Sequence, residues 1–182
     1  MQETGETKPF VFDYSYWSHD GYIEPTTEGG YLHPYKGSRY DDQNKVYNDL
    51  VSPRCSLIRW QGKEVLDNAF EGFNACLFAY GQTGSGKSYS IVGYGENKGI
   101  IPRVCDEIFF RIRQREDLPG NRVQHEVKLA MLQVYNEKVQ DLLIKKTAKP
   151  KEDLAIREDP NRGVYVQDLT EVPVSSYEEI DT

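Results

Sequence analysis

Eight residues constrain this chain more than any other stretch of it: Gly81-Gln-Thr-Gly-Ser-Gly-Lys-Ser88. Their spacing is G-x-x-x-x-G-K-[ST], and each residue type in it has a physical reason. A triphosphate is a dense anion, well matched by a curl of inward-pointing backbone N–H groups. Gly81, Gly84 and Gly86 let the backbone make that curl, and Gln82, Thr83 and Ser85 complete it. A helix starting near Gly86 adds the positive end of its dipole. Lys87 can reach the β- and γ-phosphates as a point charge, and the Ser88 hydroxyl suits Mg²⁺. With glycine at about 7% of average usage, a chance match in a chain this long is on the order of one in a hundred. The motif predicts a phosphate-binding site over Gly81–Ser88, with a nucleoside triphosphate and Mg²⁺ as ligands. The plainer alternative is a glycine-rich turn that only joins two elements.

The flanking sequence favours the first reading. Residues 75–80, Ala-Cys-Leu-Phe-Ala-Tyr, form a continuous apolar run that leads straight into the loop. Such runs suit strands buried on both faces of a parallel sheet, and residues 87–92 can continue as a helix. The expected fold is therefore α/β: a P-loop fold with a central, mainly parallel sheet flanked by helices. Elsewhere, the aromatic-rich residues 10–16 read as a strand, and residues 19–41 as a polar surface loop. A helix is expected from Asp42, with Val46, Tyr47 and Leu50 on one face, and Val65, Leu66, Ala69 and Phe70 repeat the spacing. Pro102 suits the first turn of another helix, running through Ile112. Residues 127–135 read as a strand and 137–143 as a short helix. Residues 154–157 and 164–169 read as two strands around an Asp-Pro-Asn-Arg-Gly turn. Residues 175–182 look like the start of a further helix.

Charge and composition exclude several classes. The 182 residues carry a net charge of −7, which argues against a general nucleic-acid binder. An acidic partner could still be held by Lys145, Lys146, Lys149 and Lys151, although lysines around a proline also suit a solvated loop. Hydrophobic residues make up 38%, enough for a core, but no apolar run has the length of a membrane span. Residues 1–9 read as a disordered end without a secretory signal. Cys55, Cys76 and Cys105 follow no metal spacing, as expected of a reduced, cytoplasmic chain.

Hydrolysis asks for more than a phosphate loop. It needs a second carboxylate near Mg²⁺ and a residue that orients water. Glu137, after residues 129–136, is the passable candidate, and Asp168, after Tyr165, a weaker one. Neither sits convincingly at the end of an apolar strand, so no catalytic residue is assigned.

Several segments together resemble a known family. Phe78-Ala-Tyr-Gly-Gln-Thr-Gly-Ser-Gly-Lys-Ser-Tyr89 is similar to the phosphate loop of kinesin motor domains. Val134-Tyr-Asn-Glu-Lys-Val-Gln-Asp-Leu-Leu143, Gly99-Ile-Ile-Pro-Arg103 and Ala69-Phe-Glu-Gly-Phe-Asn74 also fit that family. Phe12-Asp-Tyr-Ser-Tyr-Trp-Ser-His19 resembles the kinesin-three, or axonal-transport, class, and residues 90–101 suggest a divergent branch. The resemblance covers residues 10–182. It implies an ATP-driven microtubule motor, with ATP and Mg²⁺ at Gly81–Ser88, tubulin as partner and the cytoskeleton as location. It would set Tyr89 beside the adenine, although simple helix packing also explains that residue. It would bring Arg157, Asn161 and Arg162 near the track, although an ordinary polar hairpin explains them as well. It makes Asn136 and Glu137 structural residues at a strand end. The family's Arg-x-Arg-Pro strand and both of its switch motifs, Ser-Ser-Arg-Ser-His and Asp-Leu-Ala-Gly, are absent, so the resemblance is to a partial motor domain. Two rival readings remain at this stage. One is a non-catalytic nucleotide- or tubulin-binding module. The other is a different P-loop enzyme, a GTPase or small-molecule kinase, although no Asn-Lys-x-Asp base-recognition motif is present.

One segment breaks both the helical pattern and the resemblance. Residues 51–61, from Val51 to Gln61, place Pro53 inside what would otherwise be one amphipathic helix, at a cost of about 3 kcal/mol. Joining Leu50 to Gly62 restores the pattern. Val51-Ser52 can be encoded as GTGAGT, which looks like a splice donor read through. The segment is thus expected to be an extended exon or gene-model error, the alternative being a genuine surface loop. Sequencing transcripts across codons 50 to 62 should show the segment missing from most spliced messages. Its presence in most of them, in a protein that folds as stably as one lacking it, would establish the loop.

Overall fold

A computed structural model describes residues 9–51, 65–120, 122–144, 153–161 and 163–180. The chain divides into two units, Met1–Val104 and Cys105–Thr182. Residues 52–61, including Cys55, and Lys145, Lys146, Lys149, Lys151 and Arg162 lie outside the described residues.

The first unit is organised by polar contacts more than by a large core. Strands β1 (Tyr22–Ile23) and β2 (His33–Pro34) make a short antiparallel pair inside the expected polar loop. Helix α1 (Gln43–Leu50) starts where the sequence places it. Its N-cap is Asp42, whose extended backbone lets the carboxylate accept the Lys45 N–H at 2.7 Å. The other carboxylate oxygen accepts the Tyr31 hydroxyl. Burial, then that bond, push the Tyr31 hydroxyl up to about 12. Asn44 donates to the Tyr31 oxygen and accepts from Arg103, which also donates to the Lys98 carbonyl at 2.7 Å. Val51 closes α1, donating to the Tyr47 carbonyl, and is almost wholly buried. Helix α2 (Val65–Phe70) follows, with Leu66 buried.

Helix α3 (Lys87–Ile91) leaves the phosphate loop and is only one turn long. A tight antiparallel pair, β3 (Gly93–Tyr94) with β4 (Asn97–Lys98), separates it from α4 (Ile100–Glu116). The β3–β4 turn grips the loop after β1. Asn97 is buried, donates to the Gly30 carbonyl at 2.8 Å and accepts the Leu32 N–H at 3.0 Å. The Glu96 N–H reaches the Gly29 carbonyl at 2.7 Å. Gly95 must be glycine: its φ is +54, and an added Cβ would fall 2.2 Å from the Gly29 carbonyl oxygen.

In the second unit, β5 (Val127–Leu129) pairs antiparallel with β10 (Val172–Val174). β6 (Leu132–Tyr135) pairs with β7 (Lys138–Asp141), and β8 (Ile156–Asp159) with β9 (Gly163–Val166). The Asp141 carboxylate accepts the N–H groups of Leu143 and Thr170, each at 2.8 Å, tying the end of β7 to the chain after β9.

Five expectations change. Residues 137–143 are not a helix: Asn136 and Glu137 take φ values of 47 and 63, a tight two-residue turn that sends the chain back as β7. The expected strand 127–135 is two strands, broken at Ala130 and Met131, because β5 and β6 have different partners. Residues 175–180 make turns without a helix: the Ser175 N–H bonds the Glu179 carboxylate and the Ile180 N–H the Tyr177 carbonyl. A helix so short has few bonds to offset its costly nucleus. Residues 10–16 and 75–80 form no strand, and Val11, Phe12, Phe78 and Tyr80 are exposed. Apolar runs become strands only when their backbone groups find ladders. Among the described residues every named strand pair is antiparallel; the parallel contact is a single bridge between Trp17 and Tyr40. No described helix is long and apolar enough to cross a membrane.

Candidate nucleotide-binding site

The loop before α3 curls as its glycines predict. Gly84 and Gly86 take φ values of +80 and +86, left-handed backbone that strains any other residue. The Ser85 N–H donates to the Gln82 carbonyl at 3.2 Å and tightens the curl. At Gly81 an added Cβ would fall 2.5 Å from the Ser85 hydroxyl. Gly86 is the N-cap of α3 and offers no side-chain acceptor. The first-turn N–H groups are thus left for a ligand, where the helix dipole favours negative charge. Gly81, Gln82, Thr83, Gly84, Ser85, Gly86 and Ser88 are exposed.

Lys87 folds back over this loop. Its ammonium donates to the carbonyls of Gly81 at 2.8 Å and Gln82 at 2.6 Å. A cation is therefore held against the start of the loop. The Ser88 hydroxyl stands exposed one residue on, a hard oxygen donor of the kind Mg²⁺ takes. Among the described residues no group of three or more His, Cys, Asp or Glu side chains could hold a metal ion. A magnesium ion at this loop would take Ser88 and the phosphate oxygens as ligands.

Tyr89 lies on the inner side of α3. Its hydroxyl is buried, and the hydroxyl of buried Tyr40 beside it is pushed well above the usual tyrosine range, first by burial and then by Tyr89. Those contacts are packing contacts. The Tyr89 main-chain carbonyl accepts the side-chain amide of Gln43, which is buried in the first turn of α1. Gln43 and Asn97 escaped sequence reasoning. The available signal was a polar residue where a helix or turn faces inward.

The two carboxylates considered for magnesium occupy turns: Glu137 before β7, and Asp168, with φ +59, after β9. At the tip between β8 and β9, Asp159 accepts the Asn161 N–H at 2.8 Å, and Arg157 donates to Gln167 at 3.2 Å. These contacts hold a polar hairpin together.

Comparison with known proteins decides the family. The sequence model of the kinesin motor domain matches residues 36–182. The chain belongs to the kinesin motor domain family. Kinesin-related protein 1 of Dictyostelium discoideum is 43% identical over 97% of this chain. Kinesin-like protein KIF28 of Mus musculus is 43% identical over 96%, and kinesin-like protein KIF14 of Homo sapiens 38% identical over 99%. The chain spans 7%, 15% and 9% of those proteins respectively. A solved KIF14 structure, described as ADP in complex with a microtubule, superposes with a TM-score of 0.70 at 39% identity. That match covers 94% of this chain and 40% of the KIF14 chain, and a KIF14 dimer with AMP-PNP on a microtubule matches equally well. The fold is that of a kinesin motor domain, a P-loop fold, in part.

The loop's geometry carries a direct expectation. Replacing Lys87 with alanine removes the cation held at the amide curl. In the full-length protein, ATP affinity measured by calorimetric titration should fall by about 1.5–3 kcal/mol or more, the value of a charge-assisted contact. Unchanged affinity would show that Lys87 does not face the phosphates.

Proposed function

We propose that this chain is the nucleotide-binding part of an ATP-driven microtubule motor that works on the cytoskeleton in the cytoplasm. The observation that carries the reading is the curled loop Gly81–Ser88 with the Lys87 ammonium held over it, in a chain of the kinesin motor domain family. The solved KIF14 relatives, which carry ADP or AMP-PNP on microtubules, support it.

In this reading the amides of residues 82–88 other than that of Ser85, which is bonded to the Gln82 carbonyl, bind the phosphates, and the left-handed backbone at Gly84 and Gly86 makes the curl possible. Lys87 leaves the carbonyls of Gly81 and Gln82 and offsets charge on the β- and γ-phosphates during in-line attack of water on the γ-phosphate. Ser88 would hold Mg²⁺, which would offset charge on the phosphate oxygens. Tyr89, whose hydroxyl is buried beside Tyr40, is read as a packing residue of α3. Arg157 and Asn161, on the β8–β9 hairpin, offer polar groups to tubulin.

A second reading has its own support. Glu137 and Asp168, the two candidate magnesium carboxylates, occupy turns beside strands, so the chain alone is proposed to bind nucleotide without turning it over. Its exposed apolar residues 75–80, outside any ladder, should also make it poorly soluble. A purified 182-residue chain should give microtubule-stimulated ATP turnover no higher than buffer controls. Steady turnover from a monodisperse preparation would show that the catalytic set is complete within these residues.

A further inference from the structure

Helix α3 carries the amides that would face the phosphates, yet nothing intrinsic holds it in place. It has five residues, none of them fully buried. Isolated helices of that length do not persist in water, because the nucleus costs more than one turn returns. Contacts at its far end must fix its direction. Val92 donates to the Ser88 carbonyl at 2.8 Å, and Gly99 donates to the Val92 carbonyl at 2.9 Å. Gln43 donates its side-chain amide to the Tyr89 carbonyl, in the last turn, where carbonyls run out of helical partners. Of these three donors only Gln43 is a side chain.

Gln43 also makes little sense as a residue of α1 alone. A glutamine in the first turn of a surface helix would normally be solvated. This one is only 4% exposed, and a buried amide costs free energy unless it is bonded. An apolar residue could fill the same space, but it could not hold the Tyr89 carbonyl.

We propose that Gln43 is a positioning residue for the phosphate site: its bond to the Tyr89 carbonyl fixes the tilt of the helix whose first amides face the phosphates. The proposal rests on reading Gly81–Ser88 as a triphosphate site. The lever is short. A helix of this length spans roughly 7.5 Å, so a shift of about 1 Å at its far end tilts it by about 8°. Amide–phosphate bonds tolerate only a few tenths of an ångström in length, so that tilt loosens the bound nucleotide.

The test compares three variants of the full-length protein, using a fluorescent ATP analogue chased with unlabelled ATP. Gln43→Leu removes the donor and leaves the Tyr89 carbonyl unpaired. Analogue release should accelerate roughly tenfold, and amide hydrogen exchange across 89–93 should accelerate by a similar factor without nucleotide. Gln43→Glu has the same shape but donates only when protonated. Its release should therefore slow as pH falls through the carboxyl range, a dependence Gln43→Leu lacks. Asp42→Ala weakens α1 by removing its N-cap without touching the Tyr89 bond, so its release rate should stay within about twofold of the unaltered protein. Unchanged release and exchange in Gln43→Leu would overturn the proposal, as would equal acceleration in Asp42→Ala. If the unaltered protein holds no analogue, the reading of the loop fails, and exchange across 89–93 in Gln43→Leu still decides whether Gln43 fixes the helix.

Discussion

The Lys87 ammonium, bonded to the carbonyls of Gly81 and Gln82, is the contact on which the functional reading depends. A loop that turns its N–H groups inward must leave some of its carbonyls without partners. Lys87 satisfies two of them and brings a positive charge to the loop. The same side chain therefore holds the curl in shape and, in the proposed reading, faces the phosphates. This works only because Gly84 and Gly86 accept left-handed backbone and Gly86 brings no side chain to compete for the helix amides.

What surrounds that loop is a set of polar clamps. Asp42 caps α1 and receives Tyr31, Asn97 grips the loop near Gly30, and Gln43 reaches the Tyr89 carbonyl. Each is a directed bond with a short reach, so each fixes position more sharply than apolar contact could. The insertion of the β3–β4 pair between α3 and α4 explains why such clamps are needed: the helix that follows the phosphate loop stops after one turn, before it can bury a stripe of its own. Stability in this region is thus tied to a few donors and acceptors, and buried donors or acceptors that lose a partner are costly.

The left-handed turn at Gly84 and Gly86, α1, α4 and the β8–β9 hairpin were legible in the sequence because each rests on local chemistry. Glycine spacing wrote the first, the apolar spacing of Val46, Tyr47 and Leu50 the second, an early-turn proline the third and an Asp-Pro-Asn-Arg-Gly turn the fourth. The failures were non-local. Residues 75–80 have the composition of a buried strand, but a strand is defined by its partners, and none pairs with it among the described residues. Residues 138–141 have helix-compatible composition, and the turn at Asn136 and Glu137 overrides it by returning the chain along β6. The β5–β10 pair joins residues far apart in sequence, and no periodicity announces such a pairing. Gln43 was missed for a similar reason: a polar residue on the inner side of a helix hints at a buried bond, but its partner is a backbone carbonyl in another helix, which no local pattern names.

The central claim is that the curl held by Lys87 is a triphosphate site in waiting. A structure of the full-length protein with Mg²⁺ and a non-hydrolysable ATP analogue tests it most directly. The account predicts the Lys87 ammonium released from the Gly81 and Gln82 carbonyls and lying about 3 Å from a phosphate oxygen, with Gly84 and Gly86 still in left-handed backbone. Lys87 still bonded to both carbonyls, with the analogue bound elsewhere, would contradict it.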